Sequence, residues 1–311
     1  TWGLQMSDIG VVTLWYFIGM TAGGFFGGVI SDFIGRRKTF LISIATFSFF
    51  SVLNGFTDNF HVFVIARSMT GFGVFCLMVC SQAYIAEMAP ASRRGGLVAW
   101  NQFAIIFGML VVYFVNYFIA LNGDEAWLTS TGWRLMFLSE VIPAALLFLL
   151  VLGVPESPRW LIMKGREAKA VAILERIMGA PEAEVEAQSI RRSLHGTVKA
   201  KLFSYGVGVI VIGMLLSVFQ QFIGINVVLY YAPEIFRNMG MGTNAALAQT
   251  IIVGVINLSF TVLAIFTVDR FGRRPLMIIG SLGMAVSMVT LGMTFFLEQM
   301  GFLSLLAMLC Y

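Results

Sequence analysis

A six-residue motif, Asp-x-x-Gly-Arg-Arg, occurs twice in this chain of 311 residues. The first copy runs from Asp32 to Arg37 and the second from Asp269 to Arg274. Each copy lies between two long apolar segments, where a charged turn would connect two membrane-spanning helices. A repeated turn of this kind indicates duplication, with two halves that place equivalent turns on the same side of a bilayer.

The composition excludes an ordinary soluble domain. Hydrophobic residues make up 59% of the chain and charged residues only 12%, and the mean hydropathy is +0.88. Soluble domains carry about twice this share of charge, so we expect lipid to cover much of the apolar surface. The three cysteines lie in apolar runs and have no spacing typical of a metal site or a disulfide framework.

Eight apolar segments are long enough to cross a bilayer as helices of about 20 residues. The segment at 204–236 is too long for a straight span and contains Gly224 and Pro233, so we expect a break or bend there. The predicted spans are 9–31, 39–56, 60–88, 96–120, 133–154, 204–236, 245–268 and 277–297, and a ninth begins at 301.

The basic residues predict the orientation. If the turn at 36–38 is cytoplasmic, alternation of the spans places seventeen of the twenty Lys and Arg residues on that side, as the positive-inside rule requires. The two motif copies are six spans apart, so we expect a protein of twelve spans from which this chain lacks the first helix and the last two or three. The predicted domains are an N-terminal bundle (1–154), a cytoplasmic linker (155–203) with amphipathic helices near 166–178 and 182–194, and a C-terminal bundle (204–311).

Six groups of residues, in this chain order, resemble the sugar porter branch of the major facilitator superfamily. The resemblance covers the whole chain. It implies an all-α membrane protein with the major facilitator fold, in which two six-helix bundles surround a sugar cavity that opens alternately to each side, and this chain would cover about helices 2 to 10. The groups are Gly28-x-x-x-Asp32-x-x-Gly35-Arg36-Arg37, Arg67-x-x-x-Gly71-x-Gly73, Tyr84-Ile85-Ala86-Glu87 with Arg93-Arg94-Gly95, Pro155-Glu156-Ser157-Pro158-Arg159-Trp160, Gln220-Gln221-x-x-Gly224-x-Asn226 with Tyr230-Tyr231, and Asp269-Arg270-x-Gly272-Arg273-Arg274.

Five amide side chains lie within otherwise apolar spans. An amide both donates and accepts hydrogen bonds, as a sugar hydroxyl does, and it is unfavourable in a membrane unless it is bonded. These amides therefore either join helices by hydrogen bonds or line a shared polar cavity. The resemblance implies the cavity, because all five fall on positions that contact sugar in the family: Gln102, Gln220, Gln221, Asn226 and Asn257.

Two tyrosines and two charged residues of the spans also have alternative interpretations. Tyr230 and Tyr231 belong either to the aromatic belt at the membrane interface or, as the resemblance implies, to an outer gate. Arg67 and Glu140 lie at similar depths, about two helical turns from the outer side, and charges inside a membrane are usually functional. They form either a structural ion pair or, as the resemblance implies, part of a proton-coupling site.

Charged residues of both signs cluster near the cytoplasmic ends of the spans. Topology alone would explain the basic residues, but the acidic ones favour ion pairs. The resemblance implies salt bridges that close the inner side while the cavity faces outward and that break in each cycle. The candidate cytoplasmic gate residues are Asp32, Arg36, Arg37, Glu87, Arg94, Glu156, Arg159, Asp269, Arg273 and Arg274.

The sequence thus predicts a secondary active transporter that carries a pentose or hexose, such as D-xylose, inward together with a proton. The alternatives are a facilitative sugar uniporter and a membrane sensor that binds sugar without transporting it. An acid at the centre of the missing first helix would favour symport. We expect a monomer in the bacterial inner membrane with the sugar, the proton and the lipid bilayer as its partners, and we expect no enzymatic activity, cofactor, metal or nucleic acid.

Overall fold

The computed structural model describes residues 6–89, 94–195, 206–224, 243–297 and 306–307. Within these ranges the chain consists of helices and short connections, and none of the described residues forms a strand. The predicted all-α class is therefore confirmed.

The described helices are numbered here in chain order. A five-residue π-helix, Leu128–Gly132, joins α5 to α6. The α-helices are α1 (Met6–Ile34), α2 (Arg36–Phe56), α3 (Phe60–Met88), α4 (Arg94–Leu121), α5 (Glu125–Trp127), α6 (Trp133–Ser139), α7 (Val141–Leu152), α8 (Pro158–Met163), α9 (Glu167–Met178), α10 (Ala180–His195), α11 (Val207–Phe222), α12 (Thr243–Phe271) and α13 (Arg273–Phe296).

Among the residues that the structure describes, seven stretches of helix are long and apolar enough to cross a membrane. Their large apolar side chains face outward, since Phe25 is 77% exposed and Ile142 and Phe266 are each 74% exposed. Such side chains need lipid around them. Each stretch coincides with one of the predicted spans: Asp8–Ile34, Arg36–Phe56, Phe60–Met88, Trp100–Leu121, Glu125–Leu152, Ala245–Thr267 and Arg274–Thr294.

The remaining predicted span, 204–236, contains the shorter helix α11. This helix ends at Phe222, and Gly224 follows with a φ of +88°, a backbone conformation that favours glycine. The break predicted at Gly224 is therefore confirmed. Pro233 and the rest of 225–242 lie outside the described residues.

Small residues allow α1 and α3 to pack closely. Gly19, Gly23 and Gly27 recur at every fourth position and so share one face of α1. A β-carbon at Gly23 would lie 2.4 Å from the carbonyl oxygen of Phe72, and one at Gly27 would lie 3.0 Å from the Cα atom of Cys76. Small residues permit this backbone approach in membrane bundles, and they fix the distance between the two helices.

The fifth span is interrupted at Glu140, between α6 and α7. Pro143 has no backbone N–H to donate to the carbonyl of Ser139, four residues earlier. The Glu140 N–H bonds to the Phe137 carbonyl at 3.3 Å, and the Ala144 N–H reaches the Glu140 carbonyl at 3.4 Å. Proline thus explains why helical hydrogen bonding is disturbed at the position of an acid within the span.

In the described part of the segment between the predicted halves, 155–195, three helices, α8 to α10, pack around an apolar cluster of their own. Trp160, Leu174 and Ile190 are buried there. Arg191 of α10 forms an ion pair with Glu167 of α9 at 2.9 Å. The helices predicted near 166–178 and 182–194 are confirmed, and each covers the apolar face of its neighbour.

The chain forms two compact units. One comprises Thr1–Asn101 and Asn122–Lys199, and the other comprises Gln102–Leu121 and Ala200–Tyr311. In the second unit α12 packs against α4 at Gly254, where a β-carbon would lie 2.9 Å from a tyrosine ring of α4. The domain boundaries predicted after residues 154 and 203 stay predictions.

Candidate functional site

Four of the charged residues predicted for the cytoplasmic gate come together in the first unit, and we call them the inner cluster: Asp32, Arg36, Glu87 and Glu156. The Arg36 guanidinium donates from Nε to Glu87 Oε2 at 3.0 Å and from Nη2 to Oε1 at 2.8 Å. Its Nη1 lies 2.6 Å from Asp32 Oδ1. The Arg36 and Glu87 side chains are only 8% and 12% exposed, so removing either one would leave a buried charge without its partner.

Glu156 stabilises the start of α2. Gly35 occupies the N-cap position and has no side chain that could accept a hydrogen bond from the first backbone N–H groups. Glu156 Oε1 accepts from the N–H of Arg36 at 2.8 Å and from that of Arg37 at 3.2 Å. Its negative charge is also favourable at the positive end of the helix dipole. The Glu156 carboxylate therefore caps the N-terminus of α2, although Glu156 lies 120 positions later in the chain than Arg36.

Three polar groups that the sequence analysis did not assign to the site complete the inner cluster. Ser157 Oγ donates to Glu87 Oε2 at 2.5 Å, and Trp160 Nε1 donates to the Asp32 carbonyl at 3.0 Å. Tyr84 Oη donates to the Pro155 carbonyl at 2.9 Å. All three residues lie within the motif strings. Tyr84 and Trp160 are aromatic, and aromatic residues are common at membrane interfaces, so the sequence alone did not assign them to a site.

The structure describes the side chains of three other predicted gate residues, Arg37, Arg159 and Arg274. Arg37 donates from Nη2 to the Leu152 carbonyl at 2.5 Å. Arg159 is exposed and forms no ion pair with any residue that the structure describes. Arg274 is also exposed. The side chains of three further candidates are outside the described part of the structure: Arg94, Asp269 and Arg273.

The two charged residues within the spans, Arg67 and Glu140, belong to the same unit. The Arg67 Cζ atom lies 4.9 Å from the centre of the Tyr16 ring and 4.7 Å from that of Phe137, so aromatic rings of α1 and α6 both contact the cation. Ser51 Oγ donates to Glu140 Oε2 at 3.3 Å. Arg67 and Glu140 are both described, and they form no ion pair of 4.0 Å or less, but their charges are close enough to interact.

Ser51, which contacts Glu140, and two further polar residues of α2 and α3 extend this pair. We call the set of five the Arg67 site: Arg67, Glu140, Ser51, Asn54 and Thr70. Ser51 and Asn54 of α2 are both 0% exposed, and Thr70 of α3 is 1% exposed. Asn54 Nδ2 donates to Thr70 Oγ1 at 3.2 Å. The sequence analysis missed these three because isolated polar residues are common in membrane helices. Ser51 and Asn54 of α2 are three positions apart, and so are Arg67 and Thr70 of α3. This spacing places each pair on one face of its helix, and it is the sequence signal that could have identified the site.

The predicted sugar-contacting amides that the structure describes lie in the second unit. Gln102 is on α4, Gln220 and Gln221 are in the last turn of α11, and Asn257 is on α12. The three glutamines are exposed and Asn257 is partly buried. Three predicted residues lie outside the described ranges: Asn226, Tyr230 and Tyr231.

Comparison with known proteins gives matches along nearly the whole chain. A family model described as "Sugar (and other) transporter" matches residues 3–311. The chain is 52% identical to the D-xylose-proton symporter of Escherichia coli (strain K12), with 94% of this chain and 64% of that protein covered. It is 36% identical to the glucose facilitated diffusion protein of Zymomonas mobilis, with 97% and 66% covered. The chain thus spans slightly less than two thirds of the length of these curated relatives.

A solved structure shows the same fold. The proton:xylose symporter XylE of the major facilitator superfamily, bound to 6-bromo-6-deoxy-D-glucose, matches with a TM-score of 0.87 and 50% identity. The match covers 99% of this chain and 70% of that one. It confirms the predicted major facilitator fold and the resemblance read from the motifs.

Proposed function

Because the chain belongs to the sugar (and other) transporter family, we propose that the full-length protein is a secondary active transporter of the bacterial inner membrane. It carries a monosaccharide, D-xylose or a related pentose or hexose, inward together with a proton by alternating access. The observation that carries this proposal is the 52% identity to a D-xylose-proton symporter along 94% of the chain. The compared region includes the inner cluster, the Arg67 site and the described amides.

The amides supply the chemistry that a sugar site needs. Gln102, Gln220 and Gln221 each offer two donor hydrogens and one acceptor oxygen, which can replace the water around a sugar hydroxyl. They carry no net charge, so binding need not displace the tightly held hydration shell of an ion. All three lie in one compact unit, on α4 and α11, which supports a shared site. Asn226 and Asn257 complete the proposed site, and Tyr230 and Tyr231 form its proposed outer gate.

Arg67 and Glu140 support coupling to a proton. The Arg67 cation lies within a membrane-spanning helix, where charge is costly, and the rings of Tyr16 and Phe137 compensate part of this cost. Protonation of Glu140 would remove a negative charge that interacts with Arg67. The free energy of the site would then depend on whether a proton is bound, which is the property that links proton binding to a conformational equilibrium.

The inner cluster supports a cytoplasmic gate. It joins α1 through Asp32, α2 through Arg36, α3 through Glu87 and the chain just before α8 through Glu156. The buried Arg36–Glu87 pair forms only while these elements are together, so its free energy biases an equilibrium between two states. We propose that these contacts hold the cytoplasmic ends together when the cavity faces outward. The other proposed gate residues are Arg37, Arg94, Arg159, Asp269, Arg273 and Arg274.

A facilitative uniporter is the second candidate. The observation that favours it is the 36% identity to a glucose facilitated diffusion protein, which extends over 97% of this chain. A uniporter would use the same amides and the same gate. It differs in one property, because its sugar flux would carry no protons.

External pH recordings distinguish the two candidates. The full-length protein is placed in liposomes without an imposed gradient, and D-xylose is added outside while the external pH is followed with an electrode. Symport predicts that the outside medium becomes alkaline, and a protonophore should abolish the signal. Sugar uptake without a pH change would favour the uniporter, and the absence of both sugar uptake and a pH change would contradict transport.

A further inference from the structure

Three aromatic side chains of α3 and α6 pack against one another in pairs, and we call them the aromatic triangle: Phe63, Trp133 and Phe137. The ring centre of Phe137 lies 5.7 Å from that of Phe63 and 6.0 Å from that of Trp133, and the Phe63 and Trp133 centres are 5.9 Å apart. The three interplanar angles are 67°, 81° and 84°, which is the edge-to-face arrangement that aromatic pairs favour. Neighbours on α3 and α6 thus hold the Phe137 ring in place.

The Phe137 ring also contacts the Arg67 cation. Arg67 Cζ lies over this ring, 4.7 Å from its centre, and the face of a phenylalanine ring attracts a cation through its quadrupole. Phe63 precedes Arg67 by four residues on α3, so both lie on the face of α3 that meets Phe137. A ring attracts a cation without supplying an oxygen acceptor. The contact therefore leaves the guanidinium N–H groups to acceptors such as carboxylates.

Phe137 lies on the same helical turn as Glu140. The Glu140 N–H bonds to the Phe137 carbonyl at 3.3 Å, and Arg67 is close enough to Glu140 for their charges to interact. This turn therefore gives one cation two partners that respond differently to a proton. The Glu140 carboxylate loses its charge when it is protonated, whereas the Phe137 ring does not titrate and keeps its attraction for Arg67.

We propose that Phe137 is a positioning residue that holds Arg67 beside Glu140 while Glu140 is protonated. When Glu140 is ionised, its own charge attracts Arg67. When Glu140 is protonated this attraction is lost, and a long side chain that ends in a cation extends toward water unless something holds it. The Phe137 ring opposes this movement, so Arg67 is still in place to stabilise the carboxylate when the proton leaves. The functional part of this inference rests on the proposed proton coupling, whereas the contact between ring and cation does not.

Fluorinated phenylalanines at position 137 of the full-length protein test the positioning role. Each fluorine withdraws electron density from the ring face and weakens its attraction for a cation, while the shape of the side chain changes little. The initial rate of proton-driven D-xylose uptake into liposomes should fall stepwise from phenylalanine to trifluorophenylalanine, by about fivefold over the series. Sugar counterflow, which needs no net proton movement, should stay nearly constant. An uptake rate that does not depend on fluorine, or an equal fall in uptake and counterflow, would overturn the positioning role.

Phe40 provides the matched control. It is 7% exposed and makes an edge-to-face contact with Tyr84, with ring centres 5.6 Å apart, and among the residues that the structure describes no cation lies over its ring. The same fluorine series at position 40 should leave proton-driven uptake unchanged, and an equal fall at both positions would overturn the proposal. Phe137→Tyr keeps the ring face and should transport nearly as the wild type does, whereas Phe137→Leu should lose proton-driven uptake and keep counterflow.

Thermal unfolding in detergent tests the contact between ring and cation without any transport. The Tm should fall as fluorines are added at position 137, and it should not depend on them in an Arg67→Gln background, because the comparison isolates the interaction between these two residues. The same dependence in both backgrounds would overturn the contact and the positioning role with it. If the wild-type protein shows no proton-driven uptake, the proposed function fails, and the unfolding comparison still decides whether Phe137 holds Arg67.

Discussion

Gly35 and Glu156 lie so close together that residue 35 has no room for a side chain. The backbone of Gly35 has a φ of +102°, and a β-carbon there would lie 2.5 Å from Glu156 Oε2. Two independent constraints therefore select glycine in this turn. One is the backbone conformation, which other residues rarely adopt, and the other is the carboxylate that caps α2.

Gly35→Ala should be more destabilising than backbone strain alone explains. The backbone of Gly35, with a φ of 102° and a ψ of 156°, costs another residue about 1–3 kcal/mol, and displacing Glu156 from the N–H groups of α2 adds the loss of its hydrogen bonds. Gly179→Ala is the matched control, because Gly179 has a similar φ of 89° and ψ of 160° but no atom lies within 4 Å of the position that its β-carbon would take. Thermal unfolding of the full-length protein in detergent measures both variants, and equal losses would contradict a direct clash with Glu156.

The glycines of α1 should differ sharply in their tolerance of alanine. At Gly23 a β-carbon would lie 2.4 Å from the Phe72 carbonyl oxygen, whereas at Gly28 no atom lies within 4 Å. Gly23→Ala should therefore push α1 away from α3 at a cost of about 1–3 kcal/mol. Gly28→Ala should stabilise the helix by up to about 1 kcal/mol. Thermal unfolding separates the two cases, and a similar effect at both positions would show that α1 and α3 do not pack through Gly23.

Arg134 should matter more to stability than its ion-pair partner does. Its Nη1 donates to the carbonyls of Gly55 and Thr57, each at 3.1 Å, and closes the C-terminal end of α2. Its Nη2 pairs with Asp58, whose side chain is 88% exposed. Hydrogen bonds from a charged donor contribute about 1.5–3 kcal/mol, while an exposed ion pair contributes about 0–1 kcal/mol. In chemical or thermal unfolding, Arg134→Leu should therefore be clearly destabilising and Asp58→Asn nearly neutral, and the reverse order would contradict this assignment.

Gln221→Ala should weaken sugar binding without unfolding the protein. Loss of one hydrogen bond of about 1.4 kcal/mol would raise the dissociation constant about tenfold, and the position is exposed, so stability should change little. Ser217→Ala is the control, one turn earlier on the same helix, because its hydroxyl already bonds to the Gly213 carbonyl at 3.0 Å. Calorimetric titration of the purified full-length variants with D-xylose measures both. An unchanged affinity in Gln221→Ala would remove this residue from the sugar site.

The sequence was sufficient for features that depend on local physics. The length of the apolar runs predicted the spans because lipid requires internally bonded helices of a minimum length. Gly224 marked the end of α11 because few other residues accept its backbone conformation. Charges of both signs near the cytoplasmic ends of the spans predicted ion pairs, and the structure brings Asp32 and Arg36 together with Glu87.

Features that depend on distant contacts could not be read from the sequence. The capping of α2 by Glu156 joins positions 120 residues apart, and helix-capping patterns are local. The complete burial of Asn54 was also hidden, because a membrane helix is apolar on all faces and its pattern does not show which face meets protein. The contacts of Arg67 with Tyr16 and Phe137 depend on how three helices pack, and spacing within one helix does not determine that.

Sugar accumulation driven by an imposed pH gradient tests the proposed coupling most directly. Liposomes that contain the full-length protein are prepared with an alkaline interior, placed in a more acidic medium with labelled D-xylose, and sampled until the internal concentration is constant. With one proton per sugar, and with the membrane potential held at zero by valinomycin and equal potassium on both sides, coupling predicts an internal sugar concentration about tenfold above the external one for each pH unit, since both gradients then have equal free energy. Equilibration to the external concentration, whatever the pH gradient, would contradict proton-coupled transport.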